Sequence, residues 1–220
     1  MKKVILLIVA TSALILTSCM SMIVKNTIKD TPITNRIVLH NNVRQGDYAV
    51  YRTLTDIGDP QLETVTGETT VRIEVESVNG NEIHIKQTTN STGMSGMFVN
   101  NIVFNMITDK DGNVKSASYT DGEEIVPLKI AQPGDDIYNE YQKVNKSDHK
   151  KWNIPENITV PAGTFKVDAM YYNDKKYEDK NDIFYMGTKK VNFYHVATMI
   201  TDEDTRELKK ITELIEQGTK

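Results

Sequence analysis

The sequence predicts a mainly β protein: a single antiparallel curved sheet or half-barrel with at most one or two short helices, following an N-terminal signal. Three observations predict it. From about Arg36 onward apolar residues recur at every second position, the period of a strand with one buried and one wet face. The runs are short and closed by local turn signals such as Asn79-Gly80, Asp111-Gly112 and Pro161-Ala162-Gly163. The 220 residues suffice for one domain with one core, and strands joined by local turns pair antiparallel.

The elements follow in chain order. Lys2 and Lys3 precede an apolar run from Val4 to Leu16, too short for the roughly 20 residues of a spanning helix but suited to an export signal. Ser21 to Asn35 is polar and lacks periodicity, so residues 19–36 read as a tether and residues 37–220 as the β domain. Asp47 to Thr55 is the first strand. Val71, Ile73 and Val75 alternate with Arg72, Glu74 and Glu76, and Ile83 and Ile85 alternate with His84 and Lys86. Asn79-Gly80 between these runs predicts a hairpin with a type I′ turn, whose two central residues need positive φ.

Phe98 to Thr108 is a longer run that Asp111-Gly112 turns back into Val114 to Tyr119, and Ile125 to Ile130 is a short strand before Pro133-Gly134. Ile158 to Val160 and Thr164 to Tyr172 flank Pro161-Ala162-Gly163, and Val191 to Ile200 forms another strand. The C-terminus carries two patterns. Leu208, Ile211, Leu214 and Ile215 share a helical face with Gly218 as a C-cap, while Thr212 to Glu216 also fits a closing strand, the reading adopted here for 206–217.

Cys19, the single cysteine, excludes an intramolecular disulfide, a thiolate zinc site and a CxxC pair. It stands directly after the apolar run in Leu16-Thr17-Ser18-Cys19, which resembles the lipobox of bacterial lipoproteins. The resemblance implies cleavage of residues 1–18, acylation of Cys19 with palmitate-type chains and attachment to membrane lipid. Several acyl chains anchor stably because each buried CH₂ contributes about 0.8 kcal/mol. Met20, in place of aspartate, implies by the same resemblance transfer to the outer membrane. Loss of Lys2 and Lys3 with the signal moves the formal charge from −4 to −6. That balance argues against nucleic acid or an anionic lipid surface as a partner, because both need a basic patch.

Val160-Pro161-Ala162-Gly163-Thr164-Phe165-Lys166-Val167, followed by an aromatic-rich strand and a C-terminal pair, resembles a recurrent block in uncharacterised bacterial envelope lipoproteins. Many of these are placed in or near the superfamily of lipoprotein-localisation factors, which implies a curved antiparallel half-barrel covered by helices and open to a hydrophobic ligand. The residues themselves make a turn, with φ preset by Pro161 and a permissive position at Gly163. Phe165, Val167, Ala169 and Tyr171 then fall on one strand face.

Catalytic and metal patterns fail on inspection. Asp109-Lys110-Asp111-Gly112-Asn113 has alternating oxygen ligands, but Val114 stands where a calcium loop needs glycine and Thr120 where it needs glutamate. Gly93-Met94-Ser95-Gly96-Met97 lacks the second glycine of a nucleophile elbow. His40, His84, His149 and His195 form no short-range ligand pair, and Asp135-Asp136 reads as a turn end. A hydrolase would need Asp135, His149 or His195 to converge in space. Met94, Met97, Met106, Met170, Met186 and Met199, with ten tyrosines and five phenylalanines, suit either an adaptable lipid-binding cavity or an irregular core. The expectation is therefore a non-enzymatic, membrane-anchored binding module needing no cofactor or metal. Lipidation falls at Cys19, a hydrophobic ligand is the alternative cargo, and the ligand-binding residues are unassigned.

Overall fold

The computed structural model describes residues 32–40, 42–55, 68–92, 102–121, 124–132, 142–143, 154–174, 181–205 and 207–220. The first meander comprises β1 (Asp47–Thr55), β2 (Glu68–Asn79), β3 (Glu82–Ser91), β4 (Ile102–Asp109), β5 (Val114–Asp121) and β6 (Glu124–Pro127). Then come β7 (Gln142–Lys143), β8 (Asn157–Val160) and β9 (Gly163–Lys166). The second meander is β10 (Asp168–Asp174), β11 (Asn181–Gly187), β12 (His195–Asp202) and β13 (Leu208–Thr219). Eleven strands form one open antiparallel sheet in the order β6-β5-β4-β3-β2-β1-β13-β12-β11-β10-β7, and β8 and β9 make a separate hairpin. The described residues contain no helix.

The C-terminal segment is thus a strand. Its pairing between β1 and β12 overrides the helical spacing of Leu208, Ile211, Leu214 and Ile215, because two flanking ladders satisfy every second backbone group on each side. Register shifts at Val75/Ser77, Ile107/Thr108, Met186/Gly187, Ile200/Thr201 and Val50/Tyr51 insert bulges that bend and twist the sheet.

Three local expectations change. Asn79 pairs with Glu82, so Gly80 and Asn81 are the central turn residues, and of these only Gly80 has positive φ, at 62°. Glycine at the first central position suits a II′ turn in place of the expected I′. The run expected over Thr164 to Tyr172 divides at Val167, whose N–H bonds to the Glu156 carbonyl at 3.0 Å, so Phe165 belongs to a hairpin distinct from Ala169 and Tyr171. The strand expected from Val191 begins only at His195, because Phe193 and Tyr194 both adopt φ of 61°. Left-handed backbone costs about 1–2 kcal/mol per residue. Burial of Val191 at 1% and Phe193 at 4% exposure offsets it.

On the first meander, alternation places Ala49, Val75, Ile83, Ile85, Met106, Ala117, Tyr119 and Val126 on one face, the core face. Ile33, Ile37, Leu39 and Val43 pack against this core. Residues 33–40 form a strap fixed by backbone bonds: Ile33 N–H to Lys129 O at 2.9 Å, Ile37 N–H to Gly112 O at 2.8 Å, and Val114 N–H to Asn35 O at 2.9 Å. Residues 33–36, read as tether from sequence, are therefore bonded to the body. Gly112, at φ +83°, is the point of closest approach, where a Cβ would overlap the Ile37 carbonyl oxygen.

The strap ends at His40, whose Nε2 lies 3.0 Å from Asp47 Oδ2. Asp47, 3% exposed, also accepts the Arg44 N–H at 2.7 Å and the Thr219 hydroxyl at 2.6 Å, so one carboxylate joins strap, first strand and last strand. Leu214 faces Tyr51 across the β1–β13 ladder and is 0% exposed, whereas Ile125 on the outermost strand is 69% exposed. Leu214→Ala is expected to lower the unfolding free energy by about 2–5 kcal/mol and Ile125→Ala by less than about 0.5, as read by urea titration with circular dichroism.

Candidate functional site

Strand alternation sets a row of hydroxyls on the same face as the core. Thr198 faces Thr212, Thr212 faces Thr53, Thr53 faces Thr69, and Thr69 faces Ser91. The row crosses β12, β13, β1, β2 and β3, and at about 4.8 Å per strand it is about 19 Å long. Two neighbours bond directly: Thr53 Oγ1 to Thr212 Oγ1 at 2.8 Å and Thr69 Oγ1 to Ser91 Oγ at 2.9 Å. Ser91 is buried, while the four threonines are half-buried. Each hydroxyl has one proton and two lone pairs, so a pairwise bond leaves further capacity toward a ligand.

At the β12 end the row meets an aromatic stack. The His195 ring lies between Tyr51, with centroids 4.9 Å apart, and Tyr185, 4.7 Å apart and inclined by 12°. His195 Nε2 is 2.9 Å from Thr198 Oγ1. The Tyr51 hydroxyl donates at 3.3 Å to the His195 carbonyl and at 3.4 Å to that of Asn192. Asn192 holds the preceding loop in place. Its N–H donates to Gln217 Oε1 at 2.8 Å, and its Nδ2 donates to the Tyr48 and Gly218 carbonyls at 3.0 and 2.9 Å.

Burial pushes the Tyr51 phenol up and the His195 imidazole down to about 4, the latter partly opposed by a hydrogen bond with the Ala197 backbone. A histidine and a threonine at 2.9 Å have the composition of a base and nucleophile pair. Two features weaken that chemistry. An imidazole titrating near 4 is a weak base at neutral pH, and no carboxylate contacts the ring among the described residues.

Cys19, Met94, Met97, Asp135, His149 and Trp152 fall outside the described residues, so no convergence of Asp135 or His149 with His195 is described. His40 is engaged with Asp47, and His84 shares the outer face with Lys86. The Asp109 carboxylate is used inside its own turn, accepting the Asp111 and Asn113 N–H groups at 3.0 and 2.9 Å and Asn113 Nδ2 at 2.9 Å. These bonds, those from Asn113 foremost, hold it below the usual carboxylate range. Among the described residues no three His, Cys, Asp or Glu side chains group as a metal site. Met106 and Met186, 9% and 0% exposed, are core residues. Sequence reading assigned no role to Thr53, Thr69, Ser91, Thr198 or Thr212. The available signal was a hydroxyl in the inward slot of five separate alternating strands.

No protein-family model and no curated protein matches the chain. Among solved structures, it is similar to a protein from Bacteroides fragilis described as exported with a YmcC-like fold, at 13% identity and TM-score 0.44, covering 84% of this chain and 100% of that one. A protein from Parabacteroides distasonis described as a lipoprotein is similar at 12% identity and TM-score 0.40, covering 83% and 99%. A hypothetical protein from Chlamydia trachomatis is similar at 12% identity and TM-score 0.44, covering 81% and 89%.

The folded state keeps His195 neutral where an unfolded chain, titrating near 6.5, takes up a proton. Its contribution to stability is complete above about pH 6.5 and is lost as pH falls toward 4, by up to about 1.4 kcal/mol per pH unit. His195→Gln is expected to flatten the pH dependence within that window, measured as the wild-type minus variant difference in urea titrations at pH 7.5, 5.5 and 4.5.

Proposed function

We propose that this protein is a lipid-anchored component of a bacterial cell envelope, without catalysis of its own, that binds an extended ligand along the hydroxyl row. The observation that carries the binding reading is the row itself. Five hydroxyl side chains occupy inward slots in register across five strands, on a face whose other inward slots hold Ala49, Val75, Ile83 and Ile85. A glycan strand offers matching hydroxyl and amide groups at repeated spacing. The neutral, stacked state of His195 supports recognition over acid–base chemistry.

A carrier of lipid or lipidated peptide asks for an open apolar cavity, whereas in the described part Ile33, Ile37, Leu39 and Val43 pack against the core. The anchor reading rests on Leu16-Thr17-Ser18-Cys19, and Met20 in place of aspartate supports an outer-membrane destination through the same lipobox resemblance. Cys19→Ala is expected to move the protein from the membrane to the soluble fraction and to abolish labelling by a fatty-acid analogue; retained label would refute acylation at Cys19. For the row, NMR titration with soluble peptidoglycan fragments should shift the methyl resonances of Thr53, Thr198 and Thr212. The Thr53→Val/Thr212→Val variant should keep its dichroism spectrum and lose those shifts. A wild-type spectrum unmoved by the fragments removes the glycan reading.

A further inference from the structure

Two register shifts fall at the same level of the first meander. Glu76 is the extra residue where β2 passes from Val75↔Ile85 to Ser77↔His84, and Lys115 is the extra residue where β5 passes from Val114↔Thr108 to Ser116↔Ile107. They flank the cross-strand row Ser77, His84, Ile107 and Ser116. A bulge bends its strand and increases the local twist, and such bends commonly border functional sites. Between these two bends, on the outer face, lies a cleft of about 330 Å³ whose lining reaches from Glu76 of β2 to Pro127 of β6.

Strand alternation brings two rows of side chains into this cleft. His84 and Ile107 share one row with Ser116, and Asn105 shares the next with Ser118 and Pro127. Asn105 Nδ2 donates to Thr120 Oγ1 at 3.4 Å, which leaves the Asn105 carbonyl oxygen open to a ligand. The His84 ring and the Ser116 and Ser118 hydroxyls have no hydrogen-bond partner among the described residues. The charges of the two bulges are paired at the rim, Glu76 with Lys86 at 3.4 Å and Lys115 with Glu82 at 3.9 Å. Ile107 is half-buried among the polar groups, and Pro127 stands on the edge strand at the far side.

We propose that this outer-face cleft binds one neutral sugar ring. Its volume is at the low end of the roughly 300–1,000 Å³ of small-molecule sites, which suits a single ring over a chain. Two hydroxyls, a carboxamide oxygen and an imidazole offer both donors and acceptors around an apolar centre. A pyranose presents the complement, a rim of hydroxyls around C–H faces. Its rim meets Ser116, Ser118, Asn105 and His84 while one face rests on Ile107 and Pro127. A charged ligand finds no uncompensated counter-charge in the lining, and an acyl chain would leave these polar groups without partners. The site lies on the face opposite the hydroxyl row and does not rest on that reading.

The test uses the full mature chain carrying Cys19→Ala. Free glucose, galactose, mannose and N-acetylglucosamine are each added to about 50 mM, because a few neutral hydrogen bonds give affinities in the millimolar range. At least one of them is expected to shift the His84 ring and Ile107 methyl NMR signals saturably, and glucuronate is expected to bind more weakly than that sugar. Ser116→Ala/Ser118→Ala, at an exposed and a half-buried position, should keep the dichroism spectrum and weaken binding about tenfold. Thr53→Val/Thr212→Val, on the opposite face, should leave it within about twofold. Signals unmoved by all four sugars would overturn the proposal, as would binding unchanged in the Ser116→Ala/Ser118→Ala chain. Loss of the shifts in the Thr53→Val/Thr212→Val chain would move the binding to the hydroxyl row and overturn the outer-face site, and tighter binding of glucuronate would overturn the neutral ligand.

Discussion

The pairing of β1 with β13 holds the large sheet together. Most other neighbours in it are consecutive strands joined by local turns, but this ladder unites Arg52 with Glu213 and Asp47 with Thr219 across 161 and 172 residues of chain. Closing a loop of that length costs on the order of 4–5 kcal/mol beyond a constant term. The return comes from a continuous register from Asp47↔Thr219 to Thr55↔Lys210, from Tyr51 and Leu214 removed from water, and from Asp47 joining three segments at once. Without this ladder the chain would be two separate meanders, each with an additional raw edge.

The hydroxyl row depends on the same ladder. Thr69 and Ser91 belong to the first meander and Thr198 and Thr212 to the second, so Thr53 meets Thr212 only where β1 closes on β13. The aromatic stack is likewise composite, since Tyr51 comes from one meander and His195 and Tyr185 from the other. The strained Phe193–Tyr194 backbone is held by Asn192, whose three bonds reach residues from both meanders. The candidate site is therefore a consequence of closure, and a slip of the β1–β13 register by one residue would turn Thr53 and Tyr51 to the outer face.

Local chemistry reached the sequence reader where one short stretch decides the outcome. Period-two alternation in Asp47 to Thr55, Val71 to Val75 and Ile83 to Ile85, with glycine turns at Gly80 and Gly112, gave strands and hairpins that the structure shows. Where a partner distant in sequence decides, it left two patterns open or failed. Leu208 to Ile215 has a helix's spacing until β1 and β12 claim its backbone. Val191 to Tyr194 has a strand's composition until its side chains find the core and Asn192 bridges the termini. Val167 breaks a run of good strand formers because the Glu156 carbonyl takes its N–H.

The sequence by itself set the expectation of an export signal with a lipobox-like Cys19, and it determined the antiparallel β class and most hairpin positions, because each depends on residues within about ten positions of one another. Only the tertiary structure decided that Thr53, Thr69, Ser91, Thr198 and Thr212 form one row and that His195 is stacked and neutral. Those properties depend on strand order and register, and neighbours in a sheet closed by its first and last strands are not neighbours in the chain.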